Sequence, residues 1–184
     1  MSRPNNLHGS DVQRSDIALL IVDVINDLEF PEGDLLLRQA LPMAKRIAEI
    51  RERADTLGIP VVYANDNFGR WRSDFRAQVE HCLHDDVRGR PLVKLLQPQS
   101  QHYFVLKPRH SAFYSTGLEI LLRQLGVKTV IITGPAGNNC ILFTANDAYL
   151  RELKLIVPSD CVASNTIEDN LQALHLMQNV LKAD

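Results

Sequence analysis

Three side chains able to do acid–base or nucleophilic work follow apolar runs in this sequence. Asp23 follows "IALLIV", Lys107 closes "YFVLK", and Cys140 comes shortly after "TVIITGPAGNN". A thiol, a carboxylate and an ammonium together form a set that can attack a carbonyl. The carboxylate takes the thiol proton, and the ammonium favours the charged forms of both partners. Asn138 or Asn139 can cap a following helix, which places Cys140 in its first turn, where free N–H groups favour a thiolate. Those N–H groups can also hold the oxyanion that forms on an attacked carbonyl. Taken singly, each residue has a plain structural reading, since buried cysteines and solvated charges are common. Their arrival together at strand ends favours the chemical reading.

The elements that must position them read clearly. "IALLIVDV" (Ile17–Val24) is a short apolar run with β-branched residues, the pattern of a strand buried on both faces. Helical spacing over Leu41–Leu57 ends at Gly58, and "IPVVYAND" (Ile59–Asp66) is a second strand. Ser73 caps a predicted helix over Ser73–Asp85, and Tyr103–Lys107 is a third strand stopped by Pro108. Ser115–Leu125 is helical, Val127–Thr133 a strand, Asn139–Leu153 a helix, Lys154–Asp160 a fifth strand and Glu168–Leu181 a closing helix. Alternating strands and helices predict a three-layer α/β/α, Rossmann-like fold around a central parallel sheet of five to six strands. Ligands in such sheets bind beyond the carboxyl ends of the strands, which is where Asp23, Asn65, Asp66, Lys107 and Cys140 fall. No G-x-G-x-x-G stands in the position a dinucleotide site needs.

Composition narrows the class further. The 184 residues, 45% hydrophobic and 23% charged, suit one domain over residues 1–184. A net charge of −2 gives no electrostatic case for nucleic acid or an anionic membrane surface. No apolar run has the length of a membrane span. The polar start lacks an apolar signal core, so residues 1–15 are expected as a loose arm and the protein as cytoplasmic. Cys82, Cys140 and Cys161 make neither a disulfide framework nor a zinc ribbon. Cys82 and Cys161 read as structural.

The segments "ALLIVDVINDLEFPEG", "VVYANDNFGRW", "FVLKPRHSAF" and "GPAGNNCILFTANDAYLRELKLIVPSDCVAS" resemble the isochorismatase-like cysteine hydrolases, the group that includes nicotinamidases and N-carbamoylsarcosine amidohydrolases. The resemblance runs from about Ile17 to Leu181. It implies Asp23 as catalytic acid/base, Lys107 as the supporting lysine and Cys140 as the nucleophile. It also implies a cis bond between Pro135 and Ala136, with an oxyanion hole formed by the N–H groups of Ala136 and Cys140. The implied pocket residues are Leu28, Asn65, Asp66, Phe68, Trp71, Phe113 and Asn139.

Certain positions depart from the family pattern. Pro135 stands where a branched aliphatic residue is common, and Ile25 and Leu28 replace the Gln and Phe of a D-x-Q-N-D-F motif. Nicotinamidases carry an Asp and several histidines after the second strand; here Asp66 is followed by "NFGRW", and His81 and His84 share a helix face. A zinc site needs three or four converging ligands, so neither metal nor cofactor is expected. Arg70, Arg72 or Arg109 could bind a substrate carboxylate. The resemblance implies hydrolysis of a small amide, ureido or carbamoyl compound by a homo-oligomer, a dimer or larger. The alternatives are a non-catalytic ligand-binding or thiol redox-sensing protein on the same fold, and a vinyl-ether hydrolase.

Overall fold

The structure is a computed structural model that describes residues 13–72 and 74–184. Its elements run β1 (Ile17–Val22), α1 (Gly33–Leu57), β2 (Val61–Asp66), α2 (Phe75–His84), α3 (Arg90–Leu95) and β3 (Tyr103–Lys107). They continue with α4 (Leu118–Leu125), β4 (Thr129–Pro135), a π-helical turn (Gly137–Ile141), α5 (Leu142–Leu150), β5 (Lys154–Ile156), a 3₁₀ turn (Ser159–Cys161), β6 (Val162–Ala163) and α6 (Ile167–Asn179).

The six-stranded sheet is ordered β3-β2-β1-β4-β5, with β6 paired to the end of β4, and the strand pairings are parallel. Central strand β1 has water on neither face. Ala18, Leu20 and Val22 pack with α4, α5 and α6, while Leu19 and Ile21 pack with α1, α2 and α3, all five without exposed surface. This period-2 alternation between two cores is why the segment is continuously apolar. Burying each Leu, Ile or Val of that strand contributes about 1.5–3 kcal/mol. The three-layer α/β/α expectation holds. Among the described residues, no helix is long and apolar enough to cross a membrane.

The expected element boundaries shift in instructive places. Helix α1 begins eight residues before Leu41 and carries Pro42 in its interior. A proline there removes one backbone hydrogen bond and crowds the preceding turn, but Leu36, Ala40, Met43, Ala44 and Ile47 are buried along one stripe and hold the helix through it. The short helix α3, opened by Pro91 in its first turn, is not among the elements expected from the sequence. Ser73 lies outside the described residues; the Asp74 carboxylate caps α2 by accepting from the Ala77 N–H at 2.7 Å. The predicted fifth strand is broken at Pro158 by the 3₁₀ turn, and the chain resumes as β6 beside Gly134 and Pro135. Most of the expected arm lies outside the described residues, although its last residue is pinned: the Ser15 N–H donates to the Leu125 carbonyl at 2.9 Å.

The strand order turns back between β1 and β4, the switch point at which open parallel sheets form their crevice. Two backbones approach closely there. Gly134 has φ +123°, and a Cβ on it would stand 2.0 Å from the Val22 carbonyl oxygen. Only glycine satisfies both the dihedral and the space. Gly134→Ala is therefore expected to destabilise the protein by about 3 kcal/mol, measurable as a lowered midpoint in urea unfolding.

Candidate active site

Asp23 lies one residue beyond β1, held by its N–H, which donates to the Ala64 carbonyl at 3.0 Å. Its φ of +52° turns the carboxylate over the sheet edge, a conformation Asp tolerates better than most residues. Oδ1 accepts from the Asp66 N–H at 2.7 Å. Lys107, the last residue of β3, has no exposed surface, and its Nζ stands 2.8 Å from Asp23 Oδ2 and 3.4 Å from Asp66 Oδ2. The same ammonium donates to the Arg109 carbonyl at 3.1 Å and to Cys140 Sγ at 3.7 Å. The Cys140 thiol also lies beside the Asp23 carboxylate, close enough for each to shift the other's pKa. Asp23, Lys107 and Cys140 thus meet within hydrogen-bond reach, although 33 residues separate the last two.

Cys140 sits in the π-helical turn between β4 and α5 and not in a regular first helical turn. Neither Asn138 nor Asn139 caps this segment; Ala136 occupies the N-cap position and makes no side-chain cap. Its turn is anchored instead by the Asn138 N–H, which donates to Ser164 Oγ at 3.3 Å, and by the Ala136 carbonyl, which accepts from Asn139 and Ile141. The Pro135–Ala136 peptide bond is cis.

The electrostatics correct one expectation. The thiol of Cys140 is not depressed; burial and then the neighbouring Asp23 charge push it up to about 12, against the opposing pull of Lys107. Burial raises the Asp23 carboxyl above its ordinary value, with Lys107 acting the other way. Burial works against the Lys107 charge as well, but Asp23, Cys140 and Asp66 together leave it raised. The resting arrangement is an ion pair beside a protonated thiol, with an acceptor already in place.

A cavity of about 800 Å³ opens above this cluster. Asp23, Asp66, Phe68, Ala136, Asn139 and Cys140 line it. Four expected wall residues are elsewhere. Leu28 is fully buried in the core beneath α1, and Phe113 lies in the opposite core with the Arg151 guanidinium 4.8 Å from its ring centre. Asn65 is buried and spends its amide on the backbone of Ile25, accepting from its N–H at 3.1 Å and donating to its carbonyl at 2.9 Å. Trp71 is 78% exposed and lines no part of the cavity.

Phe30, Glu32, Phe143, Asn165, Thr166 and Asp169 form walls that sequence reading did not name. One signal was available, since Thr166 and Asp169 have capping-box spacing: Thr166 Oγ1 accepts from the Asp169 N–H at 3.1 Å and caps α6. Arg70 faces a smaller neighbouring cavity, and the exposed Arg72 and Arg109 line neither.

Among the described residues, no three His, Cys, Asp or Glu side chains converge to hold a metal ion. The Asp66 carboxylate is engaged by the Phe68 N–H at 2.7 Å and by Lys107. His81 bridges Asp85 and Asp27 at 2.6 and 3.2 Å, which hold it above its ordinary pKa, and His84 pairs with Glu80. Cys82 and Cys161 are buried in the α1 side of the core.

A parallel sheet whose switch point gathers a carboxylate, an ammonium and a thiol over a cavity defines the class. Residues 17–183 match the isochorismatase domain model, and the chain belongs to the isochorismatase family. It is 43% identical over 173 residues to the isochorismatase family protein YaaI of Bacillus subtilis (strain 168), covering 94% of each chain. Its fold superposes on the N-carbamoylsarcosine amidase of Thermoplasma acidophilum with a TM-score of 0.69 at 27% identity, covering 92% of this chain and 94% of that one. It superposes similarly on the pyrazinamidase/nicotinamidase of Streptococcus mutans UA159, with a TM-score of 0.69 at 28% identity over 91% and 98% of the two chains.

The thiol's shift has a measurable sign. Because the folded state holds the Cys140 proton more tightly, its stabilising contribution is present below about pH 9 and is lost as pH rises toward about 12. Alkylation of Cys140 by iodoacetamide should therefore climb steadily from pH 7 to pH 10 without a plateau. In Asp23→Asn the carboxylate's charge is gone while Lys107 stays, so alkylation at pH 8 should become faster than in the native protein.

Proposed function

We propose that this protein is a cysteine-dependent hydrolase of a small amide, ureido or carbamoyl compound. The observation that carries the reading is the half-buried Cys140 thiol, which accepts from Lys107 and lies beside Asp23 at the floor of a cavity that admits a small molecule. As Sγ approaches the substrate carbonyl, its proton passes to the Asp23 carboxylate, so the thiolate forms only during attack. The Ala136 and Cys140 N–H groups hold the developing oxyanion; losing one such donor typically costs about 10²–10³ in rate. Collapse of the adduct expels the amine, which receives its proton from Asp23, and leaves a thioester on Cys140. Asp23 then takes a proton from water as it attacks the thioester and returns that proton to the sulfur. Lys107 favours the charged form of Asp23 between these steps and, with its own pKa raised, keeps its proton at neutral pH.

The amidase named among the similar structures supports this choice of bond, and the cysteine favours acyl transfer over vinyl-ether cleavage. The raised thiol pKa does not favour a redox sensor, which depends on a resting thiolate. The proposal extends to cytoplasmic chains that assemble as homo-oligomers and act on a small molecule, without nucleic acid, membrane or cofactor.

A screen of small amides and ureides for ammonia release tests the reading. Turnover should appear in the native protein and fall by about 10⁴ or more in Cys140→Ala. Undiminished turnover in that variant would reject the mechanism.

A further inference from the structure

The walls of the cavity carry a one-sided charge. Asp23, Glu32, Asp66 and Asp169 line it, and no lysine or arginine side chain does. The Lys107 ammonium lies beneath the floor and is shared between Asp23 and Asp66. Among the described residues, no cation pairs with Glu32 or Asp169. Each instead meets a neutral group: Glu32 Oε2 accepts from Asn165 Nδ2 at 2.5 Å, and Asp169 Oδ2 accepts from Thr166 Oγ1 at 2.6 Å.

These contacts have a geometric consequence. The Glu32–Asn165 bond joins the loop before α1 to the loop before α6 across 133 residues of chain. It fixes an acceptor-rich rim on the cavity that holds Cys140. The arginines that could have received a carboxylate stand outside that cavity.

We propose that Glu32 and Asp169 select the charge of the substrate: the cavity takes a small amide or ureido compound whose far end is a cationic ammonium or guanidinium group, and disfavours compounds that carry a carboxylate there. This rests on the hydrolase reading for its amide end and adds the chemistry of the other end. A cation brought to this rim meets two carboxylates that no cation neutralises among the described residues, whereas an anion meets like charge with no lysine or arginine among the lining residues to offset it. Asn138 and Asn139, which also line the cavity, supply neutral amide groups between the rim and the thiol.

The test reads the field at Cys140 directly and does not require a known substrate. The native protein is treated at pH 9 with trimethylammonium-ethyl, methyl and sulfonatoethyl methanethiosulfonate, and labelling of Cys140 is followed by peptide mass spectrometry. Each rate is divided by that of 2-mercaptoethanol. The cationic reagent should exceed the anionic one by about tenfold at low salt, and the preference should shrink at high salt. Glu32→Gln and Asp169→Asn, which keep their neutral contacts, should each lower the preference by about two- to fivefold.

A cationic-to-anionic ratio at or below that of the model thiol would overturn the proposal. So would an unchanged ratio in both variants, or failure of all three reagents to reach Cys140. These rates are independent of turnover, so a failed hydrolase reading and a failed charge preference give different results: the first shows as undiminished ammonia release in Cys140→Ala, the second only in the reagent ratios.

Discussion

A lysine ammonium with no exposed surface stands 2.8 Å from the carboxylate of Asp23, and the rest of the site is arranged around keeping that pair charged. Burying either ion alone would cost several kcal/mol. The pair persists because its remaining hydrogen-bonding positions are filled: the Asp66 N–H serves Asp23, and Asp66 Oδ2, the Arg109 carbonyl and Cys140 Sγ serve Lys107. Removing the lysine would leave Asp23 buried without compensation, a change typically worth about 3–5 kcal/mol. The sheet supplies this geometry cheaply. Register pairs Asp66 with Lys107 on neighbouring strands and leaves Asp23 one residue beyond β1.

The position of the thiol follows from the same constraint. Cys140 needs no resting charge if a buried carboxylate waits beside it. Burial and the Asp23 charge keep the thiol protonated at rest, and in the proposed mechanism it becomes nucleophilic as that proton leaves. This differs from the sequence-based expectation of a thiolate stabilised by a helix end. A carboxylate's negative charge and the loss of solvent outweigh a partial backbone charge and one shared ammonium. In the proposed mechanism the thiol is activated by the neighbouring carboxylate and not by its address on a helix.

How much of this was legible depends on where each residue sits. Strand ends announce themselves, because an apolar run buried on both faces must stop at the first charge that reaches the sheet edge. Asp23, Lys107 and the turn to Cys140 are legible in the sequence that way. The cavity wall was harder, since it comes from loops whose path is set by distant contacts. Leu28 and Trp71 stood at suggestive positions, yet the first turned into the core and the second out to water. Phe113 read as a pocket aromatic and instead packs beneath Arg151. Glu32 and Asn165 carry no pattern that joins them; only the fold brings them within hydrogen-bond distance. Helix α1 shows the same limit from another side, because the stripe that carries it past Pro42 matters only once the sheet is there to receive it.

The central claim is that Cys140 becomes covalently acylated with Asp23 as its proton partner. Acid-quenched intact-protein mass spectrometry during turnover of an ammonia-releasing substrate tests it most directly. The account predicts a transient mass increase equal to the substrate's acyl group, mapped to Cys140 and absent from Cys140→Ala. Ammonia release that continues at the native rate in Cys140→Ala, or an acyl group found on another residue, would contradict it.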